Sequence, residues 1–286
     1  MSYKNTKSFK AFIDSPYRSI KHKSYFHAYD NLLEEYIGKD ITFIEVGVLD
    51  GGSLFMWQDF FGDKARIIGI EINESAKIWR DHGFEIFIGS QSDPIFWRDL
   101  FTQVGKVDVV LDDGGHTYQQ QIVTVESCLP NIKNGGKIIV EDTYTSYQKE
   151  YGYPSKNSFI NYAANLVDGI NLRTPKVDNK RSNKNISNIS FFESIVSITV
   201  ADESELAIAE GIKNNGAILD KHADSLRYAD KPSLTKFENL ISSFKSLQNF
   251  PVLGKLFKSI GLLTTNFVKL LNNKIDNKKL KKYFRY

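Results

Sequence analysis

The stretch VDVVLDDGGHTYQQQ starts at Val107, and its apolar run ends in two aspartates, two glycines and a histidine. A second apolar run, KIIVED from Lys137, also ends in two carboxylates, Glu141 and Asp142. If the two runs are neighbouring strands, Asp113, Glu141 and Asp142 stand close enough to share one cation. Without one, they would repel each other and shift their own pKa values upward. Hard oxygen donors select Mg²⁺, Ca²⁺ or Mn²⁺ over zinc, and a few carboxylates completed by water and substrate oxygens suit Mg²⁺ best. The plainer reading makes Asp113 and Asp142 caps of the helices that come next, yet Glu141 beside Asp142 exceeds what capping needs. His116 comes after the pliable pair Gly114 and Gly115, so its ring can turn back over such a cation. An imidazole with an unperturbed pKa near about 6.5 is the natural general base at neutral pH. A lone histidine near a helix start is more often a surface or packing residue. His22, His27, His82 and His222 have no such company and take no role.

A third chemical feature is EVGVLDGGS from Glu45, an apolar run entering a glycine-rich turn. Such a turn brings backbone close to a ligand and aims N–H groups at it. Its spacing is not GxGxxG, which favours a nucleoside without phosphates over a dinucleotide pyrophosphate. Glu71, closing the next apolar run, is placed to accept hydrogen bonds from ribose hydroxyls. The ordinary alternative leaves Gly47, Gly51 and Gly52 as a tight turn and Glu71 as a helix-start carboxylate.

The elements that must position these residues follow from the alternation of short β-rich runs with amphipathic stretches. Candidate strands are TFIEVGV from Thr42, RIIGIEI from Arg66, EIFIG from Glu85, VDVVLDD from Val107 and KIIVED from Lys137. Candidate helices lie between them at Ser53 to Phe61, Asn73 to His82, Asp93 to Val104 and Thr117 to Leu129. The strands are nearly continuous apolar runs, as expected when helices cover both faces of a parallel sheet. Ligands of such sheets bind outside the carboxyl ends of the strands, where strand order reverses. ISFFESIVSITV from Ile189 supplies one or two late strands, read as a hairpin closing the sheet, and DNKRSNKNISN from Asp178 reads as an exposed polar loop.

Composition bounds the rest. With 41% hydrophobic and 25% charged residues in 286, the chain can bury one substantial core and an appendage. The expected organisation is a helical N-terminal segment over 1–40, a catalytic domain over 41–205 and a basic helical extension over 206–286. Cys128 is the single cysteine, and the polar start lacks the apolar core of a signal peptide. Both fit a reducing cytoplasm. No run reaches the length of about 18 apolar residues that a spanning helix needs. The net charge of +3 conceals an asymmetry: from Pro232 onward there are eleven basic and two acidic side chains. On a helical wheel, Pro251 to Leu271 sets Leu253, Leu256, Phe257, Ile260, Leu263, Phe267, Val268 and Leu271 on one face, opposite Lys255, Lys258 and Lys269. Such a helix either lies on an anionic membrane surface, at the inner face of the cytoplasmic membrane, or packs on the catalytic domain or a second subunit. A homo-oligomer therefore stays open. Nucleic acid is not expected, since the lysines lack a binding motif.

Together, FIEVGVLDGGSLFMW, IIGIEIN, IGSQSD, VLDDGGHTYQQQI, PNIKNGGKIIVEDTYTSY and ISFFESIVSI resemble class I S-adenosylmethionine-dependent methyltransferases, specifically the Mg²⁺-dependent sugar O-methyltransferases of the macrocin and mycinamicin type. The resemblance runs over roughly Tyr17 to Val200, and the combination is more specific than any one motif. It implies an α/β, Rossmann-like, doubly wound sheet of seven mostly parallel strands with helices on both faces. It also implies that Glu45, Gly47, Gly51 and Ser53 cradle the methionine part of the donor, that Glu71 binds ribose, and that Ser90, Gln91 and Asp93 border adenine, with Asp112 in the same donor site. By the same resemblance Asp113, Glu141 and Asp142 hold Mg²⁺, and His116 is the base acting beside Asp113. The expected acceptor is a sugar of a bacterial glycan or glycoconjugate, such as an O-antigen, capsule or glycosylated metabolite. SIKHKSYFHAYDNLL, upstream, matches only loosely and receives no site role. Cephalosporin-hydroxylase-like proteins share much of the pattern. A methyltransferase of a catechol-like acceptor and a catalytically silent donor-binding subunit of a glycan assembly complex are the competing readings.

Overall fold

The computed structural model describes residues 2–153, 155–173, 185–202 and 212–216, with scattered positions between 270 and 283. Residues 178–184 of the polar loop expected from Asp178, and nearly all of the amphipathic stretch over 251–271, lie outside the described residues; the end of that expected loop, Ile186 to Asn188, is strand instead, its backbone paired into the sheet. The chain divides into two compact units, Met1–Gly211 and Ile212–Tyr286.

The first unit is built on a sheet of seven strands in the order β3-β2-β1-β4-β5-β7-β6: β1 Thr42–Val46, β2 Arg66–Glu71, β3 Glu85–Ile88, β4 Val107–Asp112, β5 Ile132–Val140, β6 Ile186–Phe192 and β7 Ile195–Val200. The first five are parallel, and β7 runs antiparallel to both β5 and β6. The expected closing hairpin is therefore present, starting at Ile186. Chain order reverses at β1, which pairs with β2 on one side and β4 on the other, and this is where such sheets bind ligands.

The strands are apolar throughout because both faces are covered. Phe43, Ile67, Val109, Leu111 and Ile139 belong to the core shared with α1 (Lys7–Asp14), α2 (Tyr25–Leu33) and α3 (Gly52–Phe61). Their sequence neighbours Ile44, Ile68, Val110 and Ile138 point the other way, into the core built with α4 (Pro94–Val104), α5 (Tyr118–Cys128) and α6 (Phe159–Asn171). Helix starts follow their caps. Asp93 accepts from the Ile95 N–H with Pro94 in the first turn, and Thr117 and Gln120 form a reciprocal capping box on α5.

One expected helix differs in kind. Asn73 to His82 winds as a 3₁₀-helix over Glu74–His82, not as an α-helix. Its buried residues Ala76 and Trp79 are three apart, as is His82, whose ring meets Trp79, Tyr17 and Phe55. Three residues per turn stack these side chains in one row, whereas 3.6 would splay them.

Between α1 and α2, residues 15–24 cross the start of α3. The Ser15 hydroxyl donates to the Gly52 carbonyl at 2.7 Å. A side chain at Gly52 would collide with the Tyr17 carbonyl at 2.3 Å. This strap carries Arg18 and Lys21 to the sheet edge.

Candidate active site

The ladder continues one residue past the strand ends. Gly47 N donates to Ile70 O at 2.9 Å, Asp113 N to Val46 O at 3.0 Å and Glu141 N to Asp112 O at 2.9 Å. Gly47, Asp113 and Glu141 are thereby lined up across the edge. Gly47 has φ +90°, and a Cβ there would lie 2.2 Å from the Asp113 carbonyl oxygen, so only glycine fits. Leu49 (φ 44°), His116 (φ 59°) and Asp142 (φ 53°) are left-handed without being glycine. Each such residue stores about 1–3 kcal/mol, supplied by its surroundings, and such residues gather where function dictates geometry.

His116 and Asp142 face each other, Nε2 to Oδ2 at 3.4 Å. With Asp113 they form a trio whose ligand atoms all lie within 4.8 Å of one another. His116 Nδ1 is buried without a hydrogen-bond partner. Asp142 caps nothing: the short 3₁₀ turn after it has no side-chain cap, and its carboxylate accepts from the Tyr25 hydroxyl instead.

Glu141 is not part of that trio. Its carboxylate is buried on Lys21, whose Nζ lies 3.3 and 3.2 Å from its two oxygens, and on the Tyr29 hydroxyl. Lys21 also reaches Asp113 Oδ2 at 2.6 Å and Glu45 Oε1 at 3.8 Å. Burial works against the Lys21 charge, but Asp113, Glu141 and Glu45 outweigh it and hold its pKa above the ordinary value. One ammonium among three carboxylates leaves an acidic excess. Burial pushes Glu141 well up, helped by Asp113, and pushes Glu45 up to about 7, against the pull of Lys21. Burial and the carboxylates likewise raise Tyr25 and Tyr29, so both stay protonated donors. Sequence reading assigned none of Lys21, Tyr25 and Tyr29. The available signal was their spacing of four, which puts the two tyrosines on one face of α2 with the lysine just ahead.

Two cavities adjoin the trio and share Gly47, Leu49 and Asp113. The first, about 190 Å³, is also lined by Glu71, Ile72, Ser90, Gln91 and Gln120. The second, about 240 Å³, is lined by Arg18, Ser19, Ile20, Asp50 and Ser53. Gly47, Ser53, Glu71, Ser90 and Gln91, all expected at the donor site, thus face open space. Glu71 meanwhile accepts the backbone N–H groups of Val48, Leu49, Ile72 and Asn73, so it also shapes the turn. Four other expected donor residues stand behind the walls. Glu45 is buried, accepting from Ser53 Oγ at 2.7 Å and Trp57 Nε1 at 3.1 Å. Asp112 is buried and held by Gln91 Nε2 at 2.9 and 3.0 Å. Asp93 caps α4, and Gly51 lies against the Trp79 ring. Missed by the sequence reading were Arg18, Leu49 and Ile72. Leu49 and Ile72 are 83% and 71% exposed and form an apolar rim on the first cavity. The Arg18 guanidinium makes no hydrogen bond or ion pair among the described residues.

Comparison with known proteins gives this geometry a context. Residues 44–143 match a family model described as a methyltransferase domain. The chain is 30% identical over 158 residues to the 8-demethyl-8-alpha-L-rhamnosyl tetracenomycin-C 2'-O-methyltransferase of Streptomyces olivaceus, covering 51% of this chain and 41% of that protein. It is 27% identical over 166 residues to the demethylmacrocin O-methyltransferase of Streptomyces fradiae, covering 54% and 42%. In fold it is similar to the MycE methyltransferase of the mycinamycin biosynthetic pathway, solved with Mg, SAH and mycinamycin VI. That match has a TM-score of 0.62 at 22% identity and covers 78% of this chain and 58% of that one. The chain therefore spans less than half the length of these two curated relatives.

Proposed function

We propose, starting from the methyltransferase domain matched by residues 44–143, that this protein moves the methyl group of S-adenosylmethionine to a sugar hydroxyl with the help of a divalent cation. One observation carries the reading. Two cavities meet at Asp113, beside a carboxylate–imidazole–carboxylate trio able to share one ion. Both curated relatives are named as O-methyltransferases, one of a rhamnosyl compound and one of demethylmacrocin.

The residues present fit a hard cation. Asp113 and Asp142 offer oxygens, and the unpartnered, buried Nδ1 of His116 marks a polar group that calls for a ligand or proton. Asp113 and Asp142 would hold the ion. When bound, it supplies a Lewis acid that lowers the pKa of a coordinated sugar hydroxyl. His116 is placed to take the hydroxyl proton, and Asp142, 3.4 Å from Nε2, steadies the imidazolium that results. The cavity walls position the donor. Glu71, Ser90, Gln91, Leu49 and Ile72 receive the nucleoside in the first cavity. The second is lined by Arg18, Asp50 and Asp113, residues of the opposed charges that an amino-acid carboxylate and ammonium require. Holding donor and acceptor at near-attack distance supplies much of the remaining acceleration.

Within this reading the acceptor is a bacterial glycan or glycoconjugate in the cytoplasm. The basic tail would suit a lipid-linked chain at the inner face of the membrane, and among the described residues no helix is long and apolar enough to cross one. Calorimetric titration of S-adenosylmethionine and S-adenosylhomocysteine into ligand-free protein, with Mg²⁺ and with EDTA, tests the donor site. Micromolar binding is expected, followed by metal-dependent transfer to deoxysugar or glycan acceptors. Absence of binding in both conditions would end the reading.

A further inference from the structure

The proposed donor fills both cavities, and neither of them is lined by His116 or Asp142. An acceptor hydroxyl that is to reach His116 therefore arrives by the remaining side of the trio, and what stands there is aromatic. Asp142 accepts from the Tyr25 hydroxyl on one oxygen and lies 3.4 Å from His116 Nε2 by the other. The His22 ring is 5.1 Å from the Tyr25 ring and 5.7 Å from the Tyr144 ring, tilted 52° to the latter. Burial raises the Tyr144 pKa, and the nearness of Asp142, Tyr151 and Asp113 adds to it. The Tyr144 hydroxyl is thus a protonated donor close to both carboxylates of the trio.

These rings differ from core aromatics. Tyr29 is fully buried with its hydroxyl spent on Glu141, whereas Tyr144 is half-buried and His22 exposed. Among the described residues neither the Tyr144 hydroxyl nor a ring nitrogen of His22 makes a hydrogen bond. Their support is fixed to the loop that carries the base: the Thr145 hydroxyl donates to the His116 carbonyl at 3.1 Å and the Tyr118 hydroxyl to the Tyr153 carbonyl at 2.7 Å. A sugar ring presents a face of weakly positive C–H bonds edged by hydroxyls, and an aromatic ring is negative on its face. Rings with unspent polar atoms at their edges match both parts of such a ligand.

We infer that His22 and Tyr144 form the acceptor platform, on which the C–H face of a sugar ring rests with its hydroxyl edge turned toward Asp142 and His116. The methyl transfer to that sugar rests on the proposed function; the sugar binding itself does not. Sequence reading gave neither residue a role, because they are far apart in the chain.

Saturation-transfer NMR of the methyl glycosides of rhamnose, fucose, glucose and galactose on the full chain, with S-adenosylhomocysteine and Mg²⁺, reads which sugar protons touch the protein. Wild type is expected to bind at least one of them, with saturation concentrated on the C–H protons of one face. Tyr144→Ala should weaken that glycoside about tenfold and His22→Ala at least about threefold, the range of an aromatic face contact. Tyr144→Phe, which keeps the ring, should stay within about threefold of wild type. S-adenosylhomocysteine affinity, read by calorimetry, should be unchanged in all three, since neither residue lines a cavity. Wild-type glycoside affinity in Tyr144→Ala or in His22→Ala overturns the inference, as does a Tyr144→Phe loss equal to that of Tyr144→Ala. So does a wild type that binds S-adenosylhomocysteine and none of the glycosides. If wild type binds a glycoside but no S-adenosylhomocysteine, and Tyr144→Ala loses the glycoside, the methyl-transfer reading fails and the platform stands. Binding of neither overturns both. Should Tyr144→Ala not fold, the exposed His22 decides: a loss in His22→Ala supports the platform, and no loss overturns it.

Discussion

Glu45, His116 and Arg18 each put the chemistry of this site into a form that one substitution can test. Glu45 has its pKa pushed from 4.5 up to about 7, chiefly by burial. A carboxyl with a raised folded-state value stabilises the fold fully below its unfolded value and loses that contribution as pH rises to the folded one. The contribution therefore declines between about 4.5 and about 7. A shift of that size corresponds to about 3 kcal/mol. Glu45→Gln should flatten this slope, so that urea denaturation shows the variant gaining on wild type from pH 5 to pH 8. A constant difference across that range would show that Glu45 does not titrate there. His116→Ala should lower turnover at least about a hundredfold, the usual worth of a positioned base, with donor affinity unchanged by calorimetry. Retained turnover would remove His116 from the chemistry. Arg18→Ala should weaken S-adenosylmethionine about tenfold, as loss of a charge-assisted hydrogen bond does. An analogue without the methionine carboxylate should bind both proteins alike.

At the scale of elements, the turn after β1 and the strap over α3 decide whether these side chains meet. Gly47 adjoins both cavities, and any Cβ there strikes the Asp113 carbonyl. Gly47→Ala should destabilise the fold by at least about 1–2 kcal/mol from the left-handed backbone alone. It should also weaken donor and Mn²⁺ binding together, because Asp113 must move. Loss of stability with both affinities intact would mean that the turn gives way elsewhere. The strands were legible because their apolar runs are continuous and end in polar residues. The alternation that marks a half-buried strand is missing for a physical reason, namely that both faces are covered. The 3₁₀ segment over Glu74–His82 was not legible, since an amphipathic run of nine residues looks alike at three or 3.6 residues per turn.

On the scale of the whole molecule, the ligand and the tail each offer a test. A donor that binds only the folded chain should stabilise it by about 2.7 kcal/mol at a hundredfold excess over Kd, seen as a higher Tm. The eleven basic residues from Pro232 onward should carry the full chain into the pellet with anionic vesicles, with loss of binding in high salt. A chain ending near Asp230 should stay in the supernatant, and equal sedimentation of the two would exclude the tail as a membrane contact. Sequence by itself determined the sheet, the edge at which chemistry collects, and the carboxylates, histidine and glycine turn gathered there. Those are local properties: an apolar run forms a strand, and the residues next in the chain stand at that strand's end. Only the tertiary structure decided which carboxylate meets which cation. Lys21 lies 92 residues from Asp113 and 120 from Glu141, and no periodicity links positions so far apart. Their meeting depends on a strap folded over α3 and on a dry interior, where a charge must find its opposite or be neutralised, a carboxylate by gaining a proton and an ammonium by losing one.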